Sequence, residues 1–455
     1  MITQGHNPIE LERGSLSFKI WKGIKIKRIR VPDLLCIYCA RRLESRAKTS
    51  FEISMSHSLS DPERGWDYGF NENDFVALVG CKRIGNKPVD WQADQLVQYI
   101  SVKELRTAQV NQEVEEVKPK GAQEGFEVRI KWPAVIAKAP GVIKTITAEH
   151  IQYQRLFDNK IITLRMRPNL KILVVEGESV EANQVLAAVV PVTTGFFCTK
   201  SASAALYISL LSSLTLSERY TAAKALSCYQ SIDVFNALAQ KISESDENIL
   251  VKLEAAAGLA RNGQEQGWTF IKQCIGDNYL ANRLEAVIIL GEITNDTSCR
   301  ILMDVLLDNE QDSEIRAGAA WALGELHNKS ALPALIKSFA AIDKSIRVEG
   351  ARALAKLASS YTLELLQKFP ESSIEKRPGI AWALSKAGHF SIEDILNTLV
   401  DDDARQWVAY ILGNQDQQQY IHEIELLKQR DPEIYFAVTV LWKITSSWVY
   451  NLEEY

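Results

Sequence analysis

Seven stretches in the C-terminal half of this 455-residue chain repeat one pattern: a basic residue opens a run of small residues, and a leucine follows seven positions later. The pairs are Arg219/Leu226, Lys252/Leu259, Arg283/Leu290, Arg316/Leu323, Arg347/Leu354, Arg377/Leu384 and Arg405/Leu412. The leucines recur at steps of 33, 31, 33, 31, 30 and 28 residues. A near-constant period of one supersecondary unit marks a helical solenoid, in which stacking buries an apolar stripe that no single unit can bury alone. Such an array is expected to serve as a surface for partners. Any chemistry has to be sought in the N-terminal half.

The remaining composition sets bounds. Hydrophobic residues make up 46% of the chain and charged residues 24%, as in an ordinary globular protein, and the length suggests about three domains. No apolar run approaches the roughly 18 residues of a membrane span, and Met1–Glu12 is polar and acidic, unlike a signal peptide. The seven cysteines are an odd number, and only Cys36 and Cys39 are close together, which argues for a reduced, cytoplasmic chain without a disulfide framework. The net charge of −5 hides a split. Residues 1–48 hold eleven Lys/Arg against four Asp/Glu, a balance of +7 that leaves −12 for the remainder. Lys19, Lys22, Lys25, Lys27, Arg28 and Arg30 are the densest part. A basic head on an acidic body points to a polyanion, DNA or RNA first, although alternating charge can also simply solvate an exposed strand.

Along the chain, Ser17–Arg30 alternates apolar and basic residues as a half-buried strand does, and Asp74–Cys81 is an apolar run of one buried strand. Trp91–Thr107 has helical spacing, and Ala108–Gly125 is polar and linker-like. The expected fold is multidomain. It has a mixed α/β or β-rich basic head over 1–110, a linker over 111–125, a β-domain over 126–195 and an all-α solenoid of about eight repeats over 201–455.

Two stretches carry family resemblances. In Ile172–Ala187, Gly177, Val180, Gln184 and Leu186 fit a "Gly-x-x-Val-x-x-x-Gln-x-Leu" run between two strands, with Ala139–Lys144 as a companion piece. This resembles the half-motif of barrel-sandwich hybrid domains, the biotinyl/lipoyl-like folds. Carrier members of that group hold a modified lysine flanked by methionines. The nearest stretch here, Leu164-Arg-Met-Arg-Pro168, has no lysine, so the resemblance implies a structural barrel. The helical units, best seen at Ile315-Arg-Ala-Gly-Ala-Ala-Trp-Ala-Leu-Gly324, resemble HEAT repeats, especially the short type of phycobilisome lyases. An eighth, weaker unit has Ile434 at the basic position and ends at Leu441, with Trp442, Trp448 and Tyr450 to cover the last apolar face.

The repeated cations Arg219, Lys252, Arg283, Arg316, Arg347, Arg377 and Arg405 allow two readings. One is a ladder inside the solenoid, each paired with an acid in the preceding turn: Asp312 lies four before Arg316, Asp343 four before Arg347, and Asp402 three before Arg405. The other is a cationic row that tracks phosphates. The acidity of this half favours the ladder.

In the head, Cys36-x2-Cys39 is half of a tetrahedral zinc site, and His57 and Cys81 are the candidates to complete it. A redox pair and a metal-free turn are the alternatives. Asp33, Glu44, Arg46 and Lys48 suggest a different site, two carboxylates and a lysine able to hold Mg²⁺ and activate water. This set resembles the "Pro-Asp…Asp/Glu-x-Lys" pattern of restriction-endonuclease-like nucleases, except that Arg46 stands where lysine is expected and cannot act as a base. Glu52-Ile-Ser54 lacks a basic residue, and His57, Asp61, Arg64, Trp66 and Asp67 are either substrate contacts or a structured loop. The chain has no Walker loop, dinucleotide fingerprint or Gly-x-Ser-x-Gly elbow. The expected function is recognition or assembly without catalysis: the solenoid binds a protein, the head binds nucleic acid, zinc is the metal, and no membrane is involved. The alternative is a Mg²⁺-dependent nuclease of a bacterial defence system with the solenoid as its targeting arm. The lyase resemblance adds a third reading, a chromophore-handling protein.

Overall fold

The computed structural model describes residues 1–11, 24, 29–85, 90–118, 127–387, 391, 394–395, 397–398, 400–415, 421–433, 435–436, 439–440 and 443. The chain has a β-rich N-terminal region of several sheets and an all-helical repeat region. Its residues cluster into two compact bodies, one running to Gly258 and the other from Leu259.

The apolar run expected as one buried strand is β5 (Phe75–Arg83), with Val76, Ala77 and Leu78 buried. It lies parallel to β3 (Arg42–Lys48) and antiparallel to β6 (Trp91–Ser101). With β1 (Pro8–Glu10) and β2 (Leu34–Cys36) these form a five-stranded sheet, order β1-β2-β3-β5-β6. The helix expected over Trp91–Thr107 is therefore a strand as far as Ser101, followed by α1 (Val102–Val110). The spacing of apolar residues here fits either period, and pairing along β5 decides for the strand. Gln98, almost fully buried in β6, donates to the Asn183 carbonyl (2.8 Å) and accepts from the Val185 amide (2.8 Å). The helix begins where pairing ends, as the Val102 amide donates to the Asp74 carbonyl.

A second sheet crosses the expected linker. β4 (Ile53–Ser58) pairs with β8 (Glu127–Trp132), which pairs with β7 (Glu115–Val117). Of the linker expected over 111–125, residues 115–117 form β7, and residues 119–125 lie outside the described residues. Phe51, Ile53, Met55 and Trp66 pack in one cluster with Val128, Ile130 and Trp132, and that cluster continues to Val190. Trp66 and Trp132 meet edge to face at 5.1 Å, and the Trp132 indole donates to the Leu105 carbonyl (3.0 Å). The region 126–195 adds β9 (Ala134–Ile136), β10 (Gly141–Ile146), β11 (His150–Arg155), β12 (Ile161–Arg165), β13 (Lys171–Ile172), β14 (Ser179–Val180) and β15 (Val185–Ala188). They form sheets of order β12-β11-β10-β14 and β13-β15-β9. The motif residues sit where a strand-turn-strand needs them. Gly177 takes a left-handed φ of 82°, Val180 and Leu186 are buried, and the Gln184 side chain accepts from the Glu181 amide (2.9 Å).

The helices of the first body are α2 (Ala204–Leu210), α3 (Leu216–Leu226), α4 (Ile232–Ser243) and most of α5 (Ile249–Arg261). The second body holds α6 (Glu265–Ile275), α7 (Leu280–Leu290), α8 (Asp296–Leu307), α9 (Ser313–Leu326), α10 (Leu332–Ser338), α11 (Lys344–Ala358), α12 (Thr362–Glu371), α13 (Arg377–Ser385), α14 (Asp402–Gly413) and α15 (Ile421–Arg430). Helix starts follow N-cap chemistry: Ser203, Ser231, Asn295, Asp312, Asp343 and Asp401 each accept a backbone N–H of the first turn. All seven repeat leucines are at most 1% exposed, which fixes the repeat register. Gly291 and Gly324 mark close approaches between neighbouring repeats: a Cβ on Gly291 would lie 3.0 Å from the Ala322 Cβ, and one on Gly324 would lie 2.9 Å from the Ala353 Cα. Among the described residues no helix is long and apolar enough to cross a membrane. The eighth-unit positions Ile434, Leu441, Trp442, Trp448 and Tyr450 lie outside the described residues.

Candidate metal centre and basic pocket

The hairpin between β2 and β3 carries Cys36 and Cys39. Its turn is closed by the Cys39 and Ala40 amides donating to the Cys36 carbonyl, and Ala40 takes the left-handed φ of 57°. Two remote segments meet this turn. His6 comes from the N-terminal arm, 33 residues before Cys39. Cys198 comes from the strand-free stretch ahead of α2, 162 residues after Cys36. One ligand atom from each of His6, Cys36, Cys39 and Cys198 lies within 4.8 Å of the other three. The Cys36 and Cys198 Sγ atoms are 3.8 Å apart, and the Cys39 Sγ is 3.5 Å from the His6 Nδ1.

The surroundings prepare these donors. The His6 Nε2 donates to the Phe196 carbonyl (2.5 Å), which leaves Nδ1 with its lone pair facing Cys39. The imidazole stacks on the Phe196 ring at 4.6 Å. Burial holds His6 below its usual pKa, against the raising effect of the Phe196 bond. Burial also pushes the Cys39 thiol up to about 12. Cys36 behaves differently: burial pushes it up too, but backbone hydrogen bonds at Asn7 and Tyr38 and the Cys39 side chain bring it below the usual thiol value. The turn is also tied to the first helices. The Tyr207 hydroxyl donates to the Cys36 and Ile37 carbonyls (3.3 and 3.2 Å), the Tyr229 hydroxyl to Ile37 (3.1 Å), and the Ala202 amide to the Tyr38 carbonyl (2.9 Å).

His57 and Cys81, the ligands expected from the sequence, lie elsewhere. The His57 Nδ1 in β4 accepts from the Trp66 amide (3.3 Å), and Cys81 stands in β5 opposite Ala93. His6 and Cys198 carry no spacing signal, because the fold and not the local sequence brings them in. The nuclease-like set Asp33, Glu44, Arg46 and Lys48 is held by contacts within the fold. Asp33 accepts from the Ser45 amide (2.6 Å), Glu44 is buried and ion-paired with Arg46, and Lys48 donates to the Ser54 carbonyl (2.6 Å).

Arg46 and Lys48 border a cavity of about 310 Å³ that is also lined by Arg30, Arg64, Trp66, Glu127 and Arg129, among others. Burial holds Lys48 below the usual lysine value, and Arg129 and Arg46 add to that while Glu52 opposes it. Arg64 pairs with Glu127 (2.6 Å) and Arg129 with Glu52 (3.1 Å). Of the six cations expected to contact nucleic acid, Arg30 belongs to this pocket. Lys19, Lys22, Lys25, Lys27 and Arg28 lie outside the described residues.

The repeated arginines act differently from the expected pairing with the preceding turn. Asp312 and Asp343 cap α9 and α11, while Arg316 donates to the Leu306 carbonyl (3.0 Å) and Arg347 to the Ala341 and Ile342 carbonyls (2.7 and 2.6 Å). Arg219, Arg283 and Arg377 likewise bond carbonyls of Ser213, Asp277 and Pro370. Where these three also meet a side chain, it belongs to the next turn of the array: Arg219 to Glu247 (2.8 and 3.1 Å), Arg283 to Gln311 (3.4 Å), Arg377 to Asp401 and Asp403 (2.7 and 3.0 Å). The pairing of Arg405 with Asp402 (2.7 Å) is as expected. A planar guanidinium with five donors can hold a preceding carbonyl and a following carboxylate together, which explains the preference for arginine here.

A family model for HEAT repeats matches residues 306–385, which contain the Ile315–Gly324 motif. No curated protein sequence matches the chain. Among solved structures the chain is similar to the complex of CpcE and CpcF of phycocyanin lyase from Nostoc sp. PCC7120, with 18% identity over 54% of this chain and 95% of that one and a TM-score of 0.27. It is also similar to human deoxyhypusine hydroxylase (16%, 46% and 83%, TM-score 0.22) and to Kap121p (16%, 49% and 28%, TM-score 0.29). Similarity this low transfers neither activity nor partner.

Proposed function

We propose that this chain is a recognition scaffold without catalytic activity, whose HEAT-repeat solenoid binds a protein and whose β-rich part binds the phosphates of a nucleic acid. The observation that carries the nucleic-acid half is the basic pocket. Arg30, Arg46, Lys48, Arg64 and Arg129 face one cavity with Glu127 as its acid, inside a chain of net charge −5. Held cations with spare donors recognise phosphate by charge and by hydrogen-bond geometry, independently of sequence. In support of the protein-binding half, the turns before Arg283, Arg347 and Arg377 leave Tyr279, Ile342 and Ile374 exposed. In this reading the β-domain over 126–195 is a barrel-sandwich hybrid with a structural role, and the chain works in the cytoplasm.

Fluorescence anisotropy with labelled single- and double-stranded DNA and RNA tests the pocket. Arg64→Ala and Arg129→Ala should weaken binding on every sequence, and each lost contact should reduce the duplex salt slope by about 0.9. Unchanged affinity and slope in the double variant would sink the nucleic-acid reading. For the solenoid, Ile342→Asp should abolish co-purification of a partner while leaving the helical circular dichroism signal intact.

A further inference from the structure

We propose that His6, Cys36, Cys39 and Cys198 bind one zinc ion, which fastens the β2–β3 turn and the N-terminal arm to the stretch that leads into the first helices. Zinc bonds of about 2.3 Å to sulfur and about 2.0–2.1 Å to nitrogen set tetrahedral edges of roughly 3.8 Å between sulfurs and roughly 3.5 Å between sulfur and nitrogen. The observed Cys36–Cys198 and Cys39–His6 separations are 3.8 and 3.5 Å. Three sulfurs and one imidazole form a closed structural set, with no position left for water or substrate. His6, Cys36 and Cys39 are buried and Cys198 is half-buried, so the ion would be shielded from solvent.

The second shell fits the same assignment. A ligating histidine commonly donates its other ring N–H to a carbonyl, as the His6 Nε2 does to Phe196. Binding of Zn²⁺ by three thiols and a neutral imidazole releases three protons to solvent and leaves the centre with one negative charge. The Arg41 guanidinium sits over the Phe75 and Phe196 rings (5.4 and 5.6 Å to their centroids) and supplies a counter-charge. The site also has a mechanical logic. His6 is anchored by its neighbour Gln4, which accepts from the Phe196 amide (2.9 Å) and donates to the Thr194 carbonyl (3.1 Å). The turn in turn holds Ala202, Tyr207 and Tyr229. The ion would thus join three chain segments at the place where the β-rich region hands over to helices.

Elemental mass spectrometry of the purified full chain decides the matter, together with cobalt(II) exchange. The expected result is one zinc per chain, lost in Cys198→Ser and in His6→Ala and kept in Cys228→Ser, whose cysteine is exposed and outside the cluster. The cobalt form should show tetrahedral d–d bands and thiolate charge transfer. Chelation should open the segment between Cys198 and Ala204 to protease. Should the first two variants fail to fold, His6→Cys offers a four-sulfur set and must still hold zinc. The proposal is overturned by a chain that neither carries nor retains zinc, by iron in its place, by a Cys36–Cys198 disulfide in non-reducing peptide maps, or by wild-type zinc content in Cys198→Ser and His6→Ala.

Discussion

Glu247 gathers two cations and a backbone amide at the start of the helical array. Its side chain is 2% exposed and receives both arms of Arg219 at 2.8 and 3.1 Å, Lys241 at 3.2 Å and the Asn248 amide at 2.7 Å. Glu247→Gln keeps the shape but removes the charge facing two cations. Breaking a fully buried pair costs about 3–5 kcal/mol. The cost here should be lower, about 2–3 kcal/mol, because Arg219 keeps the Ser213 and Leu214 carbonyls and Lys241 keeps Glu244. In native-state hydrogen exchange that cost corresponds to amides of α3 and α4 opening roughly 30- to 150-fold more often at neutral pH. The pH dependence is a second, independent readout. Burial alone would raise the Glu247 carboxyl, but the bonds from Arg219, Asn248 and Lys241 hold it below the usual carboxylate range. A depressed carboxyl contributes stability above its unfolded value of about 4.3 and loses it as pH falls through the folded value. The wild-type advantage should therefore shrink as pH drops below about 4. A change under about threefold at neutral pH, or an advantage that persists into acid, would refute the assignment of Glu247 as the anionic hub.

Other predictions concern packing and charge burial. Gly324→Ala would place a methyl 2.9 Å from the Ala353 Cα and should cost about 1–3 kcal/mol in urea denaturation. Gly276→Ala, where a Cβ would meet only the Gln273 carbonyl at 3.6 Å, should cost far less. Arg42 is 2% exposed and bonds Asp74 through two nitrogens (2.9 and 2.6 Å), the Gly69 carbonyl and the Ser217 hydroxyl. Arg42→Ala should cost about 3–5 kcal/mol by stranding the Asp74 carboxylate, and a double-mutant cycle with Asp74→Ala should recover part of that loss. Additive costs in the cycle would show that the pair is not coupled.

The helical half was legible because its signal is periodic. The leucines at the repeat positions are buried, as the step lengths imply, and Ile315–Gly324 carries a motif whose small residues serve close helix contacts. The β-rich half was legible only where a segment had one reading. Phe75–Arg83 is too short and apolar for much else, whereas Trp91–Ser101 fits two periods and needed β5 to decide it. Residues 111–125 looked like a linker, yet Glu115, Glu116 and Val117 within them pair with β8. Of the candidate metal ligands, Cys36 and Cys39 were visible as a spaced pair. His6 and Cys198 were hidden because their only relation to the pair is three-dimensional. The arginine ladder was half legible: its residues were evident, but the side-chain partners of Arg219, Arg283 and Arg377 lie in the following unit and not in the preceding turn.

The forward reach of Arg219, Arg283 and Arg377 bears on how the chain is made. Each of these arginines meets a partner 24 to 28 residues downstream, in a stretch not yet synthesised when the arginine itself is added. At typical translation rates the delay is roughly 1–6 s per unit. During that interval a nascent unit has its own carbonyls for the guanidinium but lacks its downstream partner. At these three positions synthesis would thus close the array one step behind its growing end, the next unit completing its predecessor.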